Sequence, residues 1–402
     1  KNMCPFPSFL LEIFTYAVQK HCITSQILKS VPVLNPPIMQ QVCGKRNKST
    51  TLHIHYVLGV KVVNCTVKLN QVDIVLYNCQ ISNSFFYATG KQSECIIFQL
   101  SLIEDANKIG LTYNLIIKNY GAVSMIKCFI SVSVSLKSTG VLIIKECVFQ
   151  ETLFSARKSK LIYFNKVKYG KTFSFTPKLY IQTVQQVIVN QSYFLTIKGM
   201  QLQEINIFSM SLTVFRYSRC AINIIMGHNM IIKISKSRII ECICTGYRSP
   251  LNILVSSTMI TEDVKVIIKL FEVIIKNCRS LSNGGAFSLD KFARKSTNIT
   301  CIIYKAVFLN NTSHTKGGGV FLSHVDLVII KEVIFLRNEA KSGGGMCILK
   351  IKHLVQIDSS IFENNKAVRN GGAILAYGTK SIIINNSRLV KGEIYFHGAG
   401  LS

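Results

Sequence analysis

The sequence predicts an all-β fold: a parallel β-helix in which the chain coils about one axis at about 27 residues per turn. Three observations predict it. Phe308, Phe335 and Phe362 recur at a spacing of 27 residues, and so do Asn311, Asn338 and Asn365. Paired glycines recur at the same interval, as Gly317-Gly318, Gly344-Gly345 and Gly371-Gly372. Adding 27 also generates an apolar column, Cys301, Val328, Val355 and Ile382, and two residues later a second one, Ile303, Ile330, Ile357 and Ile384. Period two with apolar residues in register describes one face of a β-strand.

The elements of one repeat follow in order. After the strand come polar dipeptides, Tyr304-Lys305, Lys331-Glu332, Asp358-Ser359 and Asn385-Asn386, which is turn chemistry. The Phe column is next and ends in Leu389. The Asn column, the glycine pair and a third apolar run such as Met346–Leu349 complete the unit. Each unit holds about three short strands and has no room for a crossover helix of about a dozen residues. Each strand must therefore pair with its own copy one turn along, with equivalent residues about 4.8 Å apart. Stacked Phe side chains fill the interior, and stacked Asn side chains hydrogen-bond up the ladder. Gly318, Gly345 and Gly372 serve a corner that needs positive φ or close backbone approach. These columns are structural and imply no ligand.

The segments FLNN (Phe308–Asn311), FLRN (Phe335–Asn338), FENN (Phe362–Asn365), GGGVF (Gly317–Phe321) and NGGAI (Asn370–Ile374) resemble the FxxN and GGA[I/L/V] repeats of the polymorphic outer membrane proteins. Similar repeats occur in the wider pectin-lyase-like superfamily. The resemblance covers Val264 to about Val390. It implies a right-handed coil, a secreted or cell-surface location, and adhesion more often than catalysis. No C-terminal membrane-barrel segment is visible, which departs from the surface-protein pattern.

Along the chain, residues 1–49 differ from the rest. They hold five of the seven prolines, and Ser8 is placed to cap a helix from Phe9 to about Lys20. This segment reads as a cap on the solenoid or a linker. Residues 50–402 read as the β-helix. Up to Asp263 the strands are rich in β-branched residues but lack glycine pairs, so the turns there are of irregular length. Leu142, Ile144 and Phe149 repeat the spacing of Val328, Ile330 and Phe335. From Val264 to Val390 the repeat is regular with one exception. Gly284 and Gly317 are 33 residues apart, six more than 27, and the excess falls near Asp290–Ser296. Insertions on one face of a solenoid often carry binding. Lys291, Arg294 and Lys295 are therefore the candidate polyanion-binding residues.

Lys and Arg total 47 against 19 Asp and Glu, a formal charge of +28. Such a surface suits acidic or sulfated polysaccharide or another cell surface. The basic residues are scattered, and no aromatic-interleaved RNA-binding motif is present, so specific nucleic-acid recognition is not expected. No run of about 18 apolar residues predicts a transmembrane helix. The fourteen cysteines form no CxxC pair or zinc spacing, and those in strand columns read as small buried hydrophobes. His53 and His55 share one strand face but have no third ligand, so no metal site is expected. Of seven Asn-x-Ser/Thr sequons, Asn311 lies in the ladder, whereas Asn298, in the inserted loop, is the better glycan acceptor. The alternative function is a polysaccharide lyase or glycoside hydrolase, which needs convergent carboxylates. Only six Asp occur, none adjacent to another. No catalytic residue, cofactor, phosphate loop or dinucleotide fingerprint is expected.

Overall fold

The computed structural model describes residues 115–392 with side chains, except 151, 171–177, 227, 246–248, 257–263 and 292–296, together with the backbone of the strands between Thr50 and Ile103 and at Glu393–Ile394. The expected cap at 1–49 and the pair His53 and His55 lie outside the described residues.

Among the described residues there is no helix, and the strands pair in parallel. They form sheets of 25, 14 and 6 strands. The 14-stranded sheet receives one strand from each coil, so the described residues form fourteen coils. The 25-stranded sheet supplies two faces of the coil, joined by a tight corner. Three thirteen-residue strands, Leu153–Asn165, Lys178–Asn190 and Gly199–Ser211, run through that corner without a break. The turn is made by one residue of left-handed conformation in each: Lys158, Thr183 and Glu204. The chain is thus an all-β parallel β-helix.

The 27-residue period holds only near the C-terminal end. Equivalent residues Cys128 and Cys147 are 19 apart, Val167 and Ser192 are 25 apart, and Asn311 and Asn338 are 27 apart. The longest step is Ile239 to Ile275, a difference of 36. The six-stranded sheet begins at Ile243–Cys244, where the coils lengthen. The short coils therefore have three faces and the long ones four.

The interior is a set of ladders. Phe308 and Phe335 stack at 5.0 Å between ring centroids, and Phe335 and Phe362 at 4.4 Å. In the short coils the same column continues through Phe149, Tyr169, Phe194 and Phe215. Each Asn of the ladder donates its amide back to a carbonyl of the preceding coil. The Asn338 Oδ1 accepts from Asn311 N (3.1 Å) and Nδ2 (3.0 Å), and its Nδ2 donates to the Phe308 carbonyl at 2.8 Å. Two residues before the Phe column runs a hydroxyl ladder. Ser192, Thr213, Ser237 and Ser360 each donate to the carbonyl two residues back, and a backbone N–H of the preceding coil donates to Ser192, Ser237 and Ser360. Cys128 and Cys147 occupy this column, so their thiols stand in for hydroxyls.

The corner that leads from the long sheet into the 14-stranded sheet is closed by a non-glycine residue in the left-handed region, including Lys305 (φ 50), Glu332 (φ 55) and Ser359 (φ 49). The Lys305 and Glu332 heads meet at 3.7 Å across coils.

The glycine register differs from the expected one by a single residue. Positive φ falls at Gly317, Gly343 and Gly371, steps of 26 and 28 rather than 27. The segment Ala340 to Ser342 opposes Ala367 to Asn370, so the middle coil is one residue short at this corner. Gly345 therefore stacks on Gly319 and Ala373, not on Gly318 and Gly372. Its requirement is space, since a Cβ there would lie 2.5 Å from the Ala373 carbonyl oxygen.

Candidate functional site: a cleft at the tight corner

The six extra residues enter at the tight corner, between Phe287–Lys291 and Thr297–Tyr304. Their effect is visible in the strands. Val264–Phe271 and Thr297–Tyr304 have eight residues each, whereas the next strands on this face, Leu327–Lys331 and Leu354–Asp358, have five. Pairing starts at Thr300 with Leu327, so residues 297–299 overhang the following coil.

Asp326 covers part of this edge. Its Oδ2 accepts from Ile299 N at 2.7 Å, and its own N–H donates to the Ile299 carbonyl at 3.1 Å. Asp326 is 4 % exposed and is the one charged side chain among the described residues that is buried. Lys352, from the next coil, brings its Nζ to 3.8 Å from Asp326 Oδ1 while staying exposed.

The step leaves a cleft of about 310 Å³ lined by Val264, Lys265, Thr297, Asn298, Asp326, Lys352 and His353. Alternate residues of a strand direct their N–H and C=O groups to the same side, so Thr297, two before Ile299, faces the cleft with its backbone as well. The Thr297 Oγ1 is buried and has no hydrogen-bond partner among the described residues.

Lys291 is not on a loop. It ends the strand Phe287–Lys291, is half-buried, and its ammonium is pushed below the usual lysine range by burial, with Asp326 opposing that shift and Lys352 adding to it. Arg294 and Lys295 lie outside the described residues. Asn298 is on a strand rather than in a loop, exposed at the mouth of the cleft. Asn311 is buried in the ladder. Sequence reasoning missed Lys265, Thr297, Asp326, Lys352 and His353 as a group, because they come from four coils.

The remaining described aspartates stand apart from this cluster. Asp290 accepts from Ser323, and burial raises its carboxyl above the usual range. The Ser323 hydroxyl also meets His324 Nδ1 at 2.8 Å. Asp358 ends a strand near Ser359 and Asn386. No group of three or more metal-ligating side chains occurs among the described residues.

Residues 359–377 match the Chlamydia polymorphic membrane protein repeat. The match runs from the left-handed corner at Ser359 through Phe362, Asn365 and the Gly371-Gly372 corner to Tyr377. A polymorphic membrane protein repeat points to a cell-surface or outer-membrane protein built as a β-helical repeat. No curated protein and no solved structure matches the chain. No helix of the described residues is long and apolar enough to cross a membrane.

Proposed function

We propose that this chain is an extracellular, structural and adhesive β-helix whose basic outside binds acidic or sulfated polysaccharide on another surface. One observation carries the reading. Among the described residues no lysine or arginine is buried, so the strong excess of basic over acidic residues is displayed outward. The polymorphic membrane protein repeat supports the surface location. The carboxylates support binding over cleavage. A glycosidase pairs two of them across the scissile bond, about 5–10 Å apart. Here Asp326 is tied to a strand edge and Asp290 to Ser323.

The test is retention on a heparin column against a plain cation exchanger of matched charge density. Elution from heparin at clearly higher salt is expected, with a steep salt dependence, because exposed charges are screened beyond about 8 Å at physiological ionic strength. Elution of both at the same low salt refutes the reading. Shortening of the polysaccharide during the experiment favours the lyase or hydrolase alternative.

A further inference from the structure

We propose that the corner cleft is a discrete subsite for one anionic group, a carboxylate or sulfate, of an acidic saccharide. This rests on the surface reading above and gives it a location.

The cleft is a consequence of coil length. Two coils carry eight-residue strands on this face, and the next two carry five, which leaves a polar step in an otherwise continuous wall. Its volume sits at the lower end of the range for small-ligand sites, about 300–1,000 Å³. The balance of charge is positive. Lys265 and Lys352 line it and Lys291 stands close by, while the single acid, Asp326, spends one oxygen on Ile299 N. The remaining oxygen is 3.8 Å from Lys352, which positions that lysine's head at the mouth.

The second observation is independent of charge. Thr297 is 4 % exposed, lines the cleft, and its hydroxyl has no partner among the described residues. A buried hydroxyl left without a hydrogen bond has lost water and gained nothing in return, so a ligand oxygen seated there recovers a real deficit. The Asn298 amide and the His353 ring complete a set of groups suited to a sugar's hydroxyls around the anion.

The experiment measures binding of a heparin-derived tetrasaccharide and of trigalacturonate to the full chain by titration calorimetry, with maltotriose as the uncharged control. Lys265→Ala/Lys352→Ala is compared with Lys233→Ala/Lys269→Ala, which removes the same charge from a stacked pair on the same sheet. All four lysines are exposed, and thermal melts check that each variant folds. The cleft pair is expected to weaken binding of one or both acidic probes about tenfold. The control pair is expected to change it by less than about twofold at physiological salt. Thr297→Val, which keeps the shape and removes the hydroxyl, also weakens it. Equal losses from the two lysine pairs, or unchanged binding in Thr297→Val, overturn the subsite while leaving the general surface reading in place. Failure of the unmodified protein to bind either acidic probe or heparin overturns both.

Discussion

Replacing Asn338 by alanine tests whether the polar ladder, and not only the aromatic stack, holds successive coils together. The Asn338 amide links three coils. It accepts from Asn311 N and Nδ2, donates to the Phe308 carbonyl, and donates to Asn365 Oδ1 at 3.0 Å. Alanine removes all four bonds and leaves the buried Asn311 N–H without its acceptor, while the Phe308 carbonyl keeps its place in the ladder with the next coil. At about 1–3 kcal/mol for the orphan and about 0.5–1.5 kcal/mol for each of the other three bonds, the expected loss is about 2.5–7.5 kcal/mol. Glu363→Ala, on an outward position one coil on, should cost under about 0.5 kcal/mol. Asn338→Asp adds a second reading. At neutral pH the carboxylate faces the Phe308 and Asn365 oxygens, and an uncompensated buried charge costs about 3–5 kcal/mol. The folded form of that variant holds its proton more tightly than the unfolded chain, so its stability falls as pH rises and recovers on acidification. The assay is denaturant unfolding at two pH values, with the slope against denaturant confirming that the same cooperative unit melts. A loss below about 1 kcal/mol in Asn338→Ala, or a pH-independent deficit in Asn338→Asp, would refute the reasoning.

Three further outcomes are expected. Phe335→Ala, which removes the middle of a three-ring stack, should destabilise by about 3–5 kcal/mol, whereas Lys331→Ala should cost under about 0.5 kcal/mol in the same denaturant melts. Gly345→Val should be worse than Met346→Val, because any Cβ at 345 meets the Ala373 carbonyl and the Phe362 ring; equal thermal shifts would remove close approach as the cause. Asp290→Asn should stabilise at neutral pH and lose that advantage in acid. Burial raises the Asp290 carboxyl in the folded state, so the native protein binds this proton more tightly than the unfolded chain, and stability drops as pH rises through the window just above the ordinary carboxylate range. Parallel pH–stability curves for the two proteins would contradict this.

The C-terminal coils were legible because three columns repeat together there. Phe, Asn and Gly each demand one kind of place, and their common spacing fixes the register. Even so, one missing residue after Ala340 moved the glycines off the 27-residue grid, since a count cannot see which corner is short. The earlier coils lack a constant period, and Tyr169, Phe194 and Phe215 escaped notice for that reason. A better local signal was present: a hydroxyl or thiol two residues before the inward apolar position, as in Cys147 and Phe149, Ser192 and Phe194, Thr213 and Phe215, and Ser237 and Ile239. In Ser237 and Ile239 that pair marks Ile239 as the inward residue of its strand, and a register slip of one residue turns a whole strand inside out. The six-residue insertion was visible in the sequence, but its product was not. The cleft depends on strands that overhang their neighbours, and Asp326 acquires its role only when Ile299 of the coil before comes to lie against it.

The change in coil length has a mechanical consequence. Each coil adds the same rise along the axis, about 4.8 Å, but stores a different amount of chain. Pulled out straight at about 3.3–3.6 Å per residue, the turn from Cys128 to Cys147, 19 residues, releases roughly 65 Å, and the turn from Ile239 to Ile275, 36 residues, roughly 125 Å. Under tension the rod would therefore lengthen in unequal steps, small ones from the slender part and steps about twice as large from the broad part. A tether built this way carries its own position scale: the size of each yielding event in a single-molecule pulling trace reports which turn has given way.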